Sequence, residues 1–327
     1  ICLPQFLFYE NSFIAVDLLD APLRVSWDIC AADEYLNADQ LRTVAHQLID
    51  AGIFFVSLEA DPLKHPDVFT LLEQLTQGGC QVSLITSGSA AELALLELIP
   101  AAVKLYLDCS LAVTGRQFNS AQLKTVLTRI RKVQREPSLL WLPRHGELLL
   151  LLEMLEFCAH ESIHDFKLPN QKISVNPDPE ETGLLPTCED LEQLAVAVKA
   201  SGISDVPHLK LEVHDLFLWE LLQPLSGGSR SEYGGCQAAN SLGHVDAAGK
   251  LWPCSSWPEP LGDLLQDNLL DLWQAGQRLD IRRQIADIPV GCDDCRDYQI
   301  CYGGCRGLSR FCRDDGLKRD LLCASKR

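Results

Sequence analysis

The chain has 327 residues, 47% of them hydrophobic, which suits one large α/β unit with a sizeable core and a smaller module beside it. Its formal net charge is −17, and almost all of that excess lies before residue 231, because residues 231–327 hold 12 basic and 14 acidic side chains. The acidic part of the chain before residue 231 repels phosphate backbones and anionic lipid heads. We therefore expect neither a nucleic-acid nor a membrane partner.

Targeting signals and cysteine usage indicate where the protein works. No apolar run reaches the length of a membrane span, because Glu147 and Glu153 close the most apolar stretch on both sides. The first residues lack a basic leader and include Glu10 and Asp17, which argues against a signal peptide. Fourteen cysteines in so long a chain are more typical of metal binding or thiol chemistry than of a secreted disulfide scaffold. We therefore expect a cytoplasmic protein.

The predicted elements begin with a hairpin at residues 5–18, which alternate around a polar turn. A rhythm of short apolar runs and helix-spaced segments follows. The predicted strands are 23–29, 53–58, 80–86, 103–108, 138–142 and 209–214, with a weaker candidate at 172–175. The predicted helices are 38–51, 66–77, 90–98, 120–133, 146–159 and 188–200.

This alternation predicts a parallel sheet covered by helices. Roughly six strand–helix units favour a partial (β/α)6 TIM-like barrel, with a doubly wound sheet as the alternative. The composition then changes to a loop rich in Gly and Ser and to a turn-rich, cysteine-dense tail, where only residues 264–277 keep helical spacing. We expect the barrel with its hairpin at residues 1–225 and a small cysteine-rich domain at 226–327.

The tail holds eight of the 14 cysteines, and seven of them fall into a definite spacing. Cys236 and Cys254 enclose Gly249, Cys292-x2-Cys295-x5-Cys301-x3-Cys305 follows after a gap, and Cys323 comes after a second gap. Thiolates are soft ligands that suit iron–sulfur clusters and zinc. A zinc ribbon built from two cysteine pairs is the alternative, although the x5 and x3 spacings and the odd number of cysteines weigh against it. Cys312 is interpreted as a spare thiol.

These spacings, with the framing segments HVDAAGKLWPC, PLGDLLQDNLLDLW and CYGGCRG, resemble the SPASM domain of radical SAM peptide-modifying enzymes. The resemblance implies two 4Fe–4S clusters with interleaved ligands. By that resemblance the first auxiliary cluster is held by Cys236, Cys254 and Cys305, and the second by Cys292, Cys295, Cys301 and Cys323. The first then lacks a fourth thiolate, which implies an open iron site or an oxygen ligand such as Glu232.

The barrel resembles the same family but lacks its catalytic motif. Family members carry Cys-x3-Cys-x2-Cys after the first strand, where this chain has only Cys30, for which we favour a simple packing role. The family's Gly-Gly-Glu-Pro motif, which helps to hold the S-adenosylmethionine amine, is replaced by residues 59–62, EADP. The segments LITSGS at 84–89 and LYLDCS at 105–110 resemble further family landmarks.

Two explanations compete for this damaged site. In the first, the barrel is degenerate and binds neither a third cluster nor S-adenosylmethionine, as in the SPASM-domain proteins of GeoRSP-type systems, which this chain resembles. In the second, the chain is an active radical SAM peptide maturase whose cysteine loop is absent from the sequence. The altered motif at residues 59–62 favours the first, because a missing loop would not change a different strand.

The first explanation predicts a protein that relays electrons and binds a peptide substrate, a partner maturase or a peptide chaperone. A zinc-stapled scaffold is a third hypothesis. Four other side chains are candidates for the barrel cavity: Asp28 and Asp108, which end strands at the expected mouth, and Glu212 and His214, which alternate on one strand. Trp252 and Trp257 flank Cys254 and are expected to shield a cluster from water. No catalytic residue is assigned.

Overall fold

The computed structural model describes residues 18–31, 34–174, 177–201, 208–222, 234–310 and 319–323. The predicted hairpin at 5–18, all but its last residue, lies outside these ranges, as do Glu232 and Cys312. Within the described ranges, no helix combines the length and the apolar character that a membrane crossing requires.

A ten-stranded sheet runs through the molecule, with a two-stranded hairpin beside it. The sheet strands are β1 (Arg24–Asp28), β2 (Phe55–Glu59), β3 (Gln81–Thr86), β4 (Lys104–Asp108), β7 (Ser138–Leu140), β8 (Asp165–Leu168), β9 (Lys210–Val213), β10 (Leu242–Val245), β11 (Lys250–Trp252) and β12 (Gly262–Asp263). The hairpin is β5 (Val113–Thr114) and β6 (Gln117–Phe118). The sheet order is β12-β11-β10-β1-β2-β3-β4-β7-β8-β9, parallel from β10 to β9 and antiparallel at β11 and β12.

Helices connect the parallel strands and cover one face of the sheet. They are α1 (Ala38–Asp50), α2 (Val68–Gln77), α3 (Ala90–Leu93), α4 (Ser120–Lys132), α5 (Leu150–His160), α6 (Pro179–Gly183), α7 (Cys188–Ser201) and α8 (Leu216–Leu222). The cysteine-rich part adds α9 (Leu269–Gln274), α10 (Gly276–Ala286) and α11 (Tyr298–Cys301). The start of α1 shows why the boundaries fall where they do: Asn37 and Gln40 form a capping box, with each side chain accepting from the other's backbone N–H.

The two faces of the parallel sheet differ in character. On β1 and β2 the residues facing the helices, such as Val25, Trp27 and Leu58, are fully buried. The alternate residues, such as Ser26 and Ser57, line a cavity of about 760 Å³ to which all eight parallel strands contribute. Polar side chains on the concave face are expected of a barrel that holds a ligand rather than a packed core.

The sheet curls toward closure around this cavity. Arg24 Nη1 on β1 lies 3.5 Å from Glu212 Oε1 on β9, the last strand of the opposite edge. In the described part of the chain, β9 is hydrogen-bonded only to β8, so the barrel is partial. The sequence-based prediction of an α/β fold with a partial barrel is therefore confirmed.

One weak sequence prediction is wrong. The strand after α5 is β8 (Asp165–Leu168), whereas residues 172–174 of the predicted strand are irregular. Pro169 ends the strand, since it carries no N–H for the ladder, and Ile173 N–H instead donates to Ser255 O at 3.5 Å. The predicted helix at 264–277 is also interrupted, because Ala275 is extended between α9 and α10.

The cysteine-rich part shares the barrel's sheet. Strand β10 pairs in parallel with β1, and β11 and β12 continue from it. A buried arginine of α10, Arg278, fastens this part to the chain preceding β1, because its guanidinium donates to the carbonyls of Leu19, Ala239 and Trp273 at 2.7–2.9 Å. A buried guanidinium needs such acceptors, and here the fold supplies three.

We expect Arg278→Met to lower the free energy of unfolding by about 3 kcal/mol, because three buried carbonyls lose a charged donor. Urea denaturation followed by circular dichroism measures the change. Arg283→Met is the matched control, since Arg283 pairs with Asp280 at the surface with 74% of its side chain exposed, and it should cost less than about 1 kcal/mol. Equal stability of the two variants would contradict this role for Arg278.

Candidate metal centre

The first set of thiols comes from three separate turns. Cys254 follows β11, Cys305 follows α11, and both are buried, while Cys236 is half-buried. Burial and then the neighbouring Cys236 raise the pKa of Cys254 to about 12. Burial is also the largest cause of a raised pKa at Cys305, and the charges of Cys236, Asp320 and Cys254 raise that pKa further. These three thiols thus lie within electrostatic range of one another.

The second set lies around α11. Burial, followed by the charges of Cys301, Cys323 and Cys295, raises the pKa of Cys292 to about 11. The sets correspond to the two ligand groups that the family resemblance implies. In the described ranges, however, no three His, Cys, Asp or Glu side chains take up the geometry of a metal site, so ligation itself stays a prediction.

The donor chemistry of both sets fits iron–sulfur clusters. Gathering several thiols in a buried place becomes unfavourable once they are thiolates that repel one another, as the raised pKa values show. A bound metal centre reverses this cost, because it deprotonates and binds the thiols. The residues named would then hold the clusters, which supply one-electron transfer when bound.

A glycine-rich turn and a buried carboxylate link the two sets. Tyr302, Gly303 and Gly304 all have positive φ, and a Cβ on Gly304 would lie 2.4 Å from Asp320 Oδ2. Cys305 N–H donates to that oxygen at 2.5 Å, and Leu322 N–H donates to the other at 2.8 Å. Asp320 therefore fixes the CYGGC turn against the segment carrying the last cysteine. The sequence analysis does not single out this residue, because its partners are backbone N–H groups, which any residue type supplies.

A second cluster of side chains closes the barrel mouth. Lys172, from the segment after β8, ion-pairs with Asp28 at the end of β1 and with Glu59 at the end of β2, where its Nζ lies 2.7 Å from Oε2. His244 of β10 completes the group: Nε2 lies 3.6 Å from Asp28, and Nδ1 is hydrogen-bonded to Ser26 Oγ at 2.9 Å. An ammonium thus occupies the space between two largely buried carboxylates.

The charges at the mouth stabilise one another. Burial alone would raise the pKa of Glu59, but the Lys172 ammonium outweighs it and holds that pKa below its usual value. Burial would likewise lower the pKa of Lys172, and the two carboxylates raise it instead. Burial and the nearby ammonium lower the pKa of His244, which Asp28 only partly offsets. The imidazole is therefore neutral near pH 7.

The segment that carries Lys172 also reaches the first thiol set. Asn170 Nδ2 donates to Ser256 Oγ at 2.5 Å, and Ser256 Oγ in turn donates to the carbonyl of Gln171. Asn170 Oδ1 lies 3.9 Å from Cys305 Sγ. The barrel mouth and the cysteine site are therefore joined through one short stretch of chain. Sequence reasoning had treated part of this stretch as a strand.

The connection from β1 to α1 is short and hydrogen-bonded to itself. Ala31 and Glu34 exchange backbone hydrogen bonds at 2.8 and 3.0 Å, and α1 begins soon after. Cys30 is half-buried, and its N–H donates to Ala60 O at 2.9 Å. Burial and then the Asp61 carboxylate raise the pKa of its thiol. These features agree with a packing role for Cys30.

The turn after β2 keeps the shape of a glycine turn without glycine. Ala60 and Asp61 have φ of +53° and +51°, which L residues adopt at a cost of about 1–2 kcal/mol each. Asp61 directs its carboxylate outward to Lys64 Nζ at 2.6 Å. Residues 60 and 61 therefore hold the left-handed backbone that glycine usually adopts, and they add two side chains at the barrel mouth.

The remaining candidates fall as follows. Glu212, His214 and Asp108 all line the cavity, as expected from their places on the strands. Asp108 also accepts from Ser110 N–H at 2.8 Å, which caps the helical turn after β4. Trp257 is buried near Cys254 with the Arg310 guanidinium 4.6 Å from its ring centroid, whereas half-buried Trp252 donates to Asp246 at 2.9 Å.

Several solved structures have a fold similar to that of this chain. No family model matches the sequence, and no curated protein matches it. Among solved structures, SuiB from Streptococcus suis bound to S-adenosylmethionine superposes with a TM-score of 0.67 at 18% identity, covering 94% of this chain and 78% of SuiB. Its complex with the precursor peptide SuiA gives 0.67 at 17% identity, with 94% and 77% covered. The enzyme anSMEcpe, with bound AdoMet and Cp18Cys peptide, gives 0.67 at 12% identity, with 92% and 94% covered.

These neighbours are radical SAM/SPASM enzymes, and the chain has their fold over nearly its whole length. The recognition made from the cysteine spacing is thereby supported. At these identities the likeness extends to the architecture, while cofactors and substrates require their own arguments.

We expect Lys172→Met to lower the free energy of unfolding at pH 7 by about 2 kcal/mol, because Asp28 and Glu59 lose their shared ammonium. This is less than a fully buried pair would lose, since 36% of the Lys172 side chain is exposed. In the parent protein, Glu59 stabilises the fold above its unfolded pKa, and that contribution disappears as pH falls through its lowered folded pKa. In the variant the pKa of Glu59 rises, so acidification from pH 7 to 5.5 should stabilise it.

Urea denaturation at the two pH values measures both effects. Lys64→Met is the control, because the Lys64–Asp61 pair is exposed and should contribute less than about 1 kcal/mol. A Lys172 variant as stable as this control, with no gain on acidification, would show that the mouth does not depend on the ammonium.

Proposed function

We propose that this protein binds two 4Fe–4S clusters in a SPASM-type module and acts as an electron-transfer or substrate-binding partner in radical SAM peptide modification. One observation carries the proposal: Cys254 belongs to the first thiol set and also lines the barrel cavity, beside Ser255. A cluster held by Cys236, Cys254 and Cys305 would thus border the space in which a ligand binds, and the cavity has the size of a typical ligand site.

The second thiol set supports the relay. Exposed apolar side chains neighbour it along the chain, namely Ile288 and Val290 before Cys292, and Ile300 and Tyr302 on or next to α11. Exposed apolar residues gathered on one surface are typical of protein contact sites. We propose that the partner maturase docks here, so that the second cluster, held by Cys292, Cys295, Cys301 and Cys323, exchanges electrons with it.

The mouth of the barrel supports a degenerate S-adenosylmethionine site. The Lys172 ammonium already fills the space between Asp28 and Glu59, where strands β1 and β2 end. The β1–α1 connection carries the single thiol of Cys30, and one thiolate cannot hold a cluster. The competing proposal is an active radical SAM peptide maturase whose cysteine motif is not in this sequence.

Peptide is the ligand class we propose for the cavity. Two of the structural neighbours were solved with peptides, SuiA and Cp18Cys, and the chain shares their architecture at TM-scores of 0.67. The first cluster has three thiolates and a vacant fourth position for an iron ligand. Asn170 Oδ1, 3.9 Å from Cys305 Sγ, is an oxygen donor close to that set.

Metal analysis of the complete gene product tests the two-cluster proposal. After anaerobic reconstitution we expect about eight irons and eight sulfides per chain, with little zinc. Cys254→Ser and Cys301→Ser should each lose about four irons, because each removes one cluster. Cys188→Ser, at the half-exposed start of α7, is the control and should keep all eight. Zinc without sulfide would overturn the proposal in favour of a zinc-stapled scaffold.

Cofactor cleavage tests the degenerate barrel. The reconstituted protein with dithionite and S-adenosylmethionine should give no 5′-deoxyadenosine above a protein-free blank. The reason is that the Lys172 ammonium occupies the barrel mouth and that this proposal includes no third cluster. Chromatography with mass detection measures the product. About twelve irons together with 5′-deoxyadenosine would establish the active maturase instead.

A further inference from the structure

The amino-terminal end of the barrel cavity gathers basic side chains in a chain that is otherwise strongly acidic. We call this group the amino-end cations; all four line the cavity, and they are Arg24, Lys104, Lys167 and Lys210. Three of them, Arg24, Lys104 and Lys210, stand first on their strands, at the end of the barrel opposite Lys172 and the cysteines. Lys167 lies farther along the cavity, as the third residue of β8. The three first residues are thus separate from the mouth already described.

Acidic partners only partly neutralise the amino-end cations. Glu212 is shared between Arg24 at 3.5 Å and Lys167 at 3.7 Å, and Asp165 pairs with Lys104 at 3.2 Å. Lys210 makes no ion pair within 4.0 Å to any acidic residue that the structure describes. The four cations of the group therefore share two carboxylates, Glu212 and Asp165, although the whole chain carries −17.

Hydroxyl groups lie beside these cations on the same concave surface. Ser26, Ser57 and Ser83 are in register on β1, β2 and β3, and Lys104 is the next residue in that row on β4. In the described parts of the chain, the hydroxyls of Ser57 and Ser83 have no hydrogen-bond partner, and both residues line the cavity. They are donors available to an anionic ligand.

The arrangement suits separate single charges better than one compact dianion. Lys104 and Lys167 lie 5.0 and 5.7 Å from the centroid of the Tyr106 ring, and Arg24 and Lys167 share Glu212. Carboxylates reach two such donors at a time through their two oxygens. Carboxylates spaced along one peptide can therefore each meet a different member of the group.

We propose that the amino-end cations are a carboxylate-binding site that recognises acidic side chains of a peptide lying in the cavity. The peptide class rests on the proposed function, whereas the charge preference rests on the residues above. Such a peptide would extend from Lys210 and Lys167 toward Cys254, since one continuous cavity joins them. Its carboxylates would replace the water that now solvates the lysines.

Fluorescence anisotropy with the reconstituted full-length protein tests this. The probes are a labelled acetyl-Gly-Glu-Glu-Gly amide and its Gln-Gln counterpart. We expect the acidic probe to bind at least tenfold more tightly than the Gln-Gln probe. The affinity of the acidic probe should fall as the salt concentration rises. Lys210→Gln should weaken binding of the acidic probe about fivefold to tenfold and leave the Gln-Gln probe unchanged, because Lys210 makes no ion pair with the acidic residues that the structure describes.

Lys132→Gln is the matched control, since Lys132 lies exposed on α4 away from the cavity and should not alter binding. Equal affinity for the two probes, or equal losses from Lys210→Gln and Lys132→Gln, would overturn the inference. The carboxylate assignment would be overturned if inorganic phosphate displaced the acidic probe at phosphate concentrations tenfold below the Kd of that probe. The iron content of the same samples is measured as well, so that this test is independent of the cluster proposal. Eight irons per chain together with equal binding of the two probes would refute only the present inference.

Discussion

An ammonium group held between two carboxylates is the interaction on which the arrangement of this molecule depends. Lys172 and Asp28 are 144 residues apart, and their ion pair joins the segment after β8 to the end of β1. Because the same segment binds Ser256 and passes beside Cys305, the electrostatics of the barrel mouth also position the first thiol set. Without this contact, two carboxylates at neighbouring strand ends would repel each other in a partly dehydrated place.

Charge is distributed along the barrel axis in a way that composition does not reveal. Acidic side chains collect where the parallel strands end, as with Asp28, Glu59 and Asp108, and basic ones where they begin, as with Lys104 and Lys210. Lys172 compensates the acids of the mouth only in part, and the cations lie at the opposite end. A cavity with one acidic end and one basic end orients an anionic ligand by its field.

Much of this structure was predictable from the sequence, for identifiable reasons. β1 to β4 are predictable because each carries several buried apolar residues within a short segment. The grouping of the cysteines into two sets rests on their spacing and its family resemblance and stays a prediction. β8 is harder to predict because Asp165–Leu168 is four residues long with two apolar side chains. The contacts of Lys172 have no local signature, since side chains far apart in the chain make them, and those of Asp320 are with backbone N–H groups.

The shared sheet has a mechanical consequence. Because β10 is hydrogen-bonded to β1 along four registered residue pairs, the module that carries Cys254 cannot swing relative to the barrel without breaking the sheet. A redox centre on that module would have a fixed position in the cavity wall. The fold would then set the electron-tunnelling distance between this centre and a molecule bound in the cavity. Its electron-transfer rate would then respond to driving force and to occupancy of the cavity, and be insensitive to solvent viscosity, which slows hinged carriers.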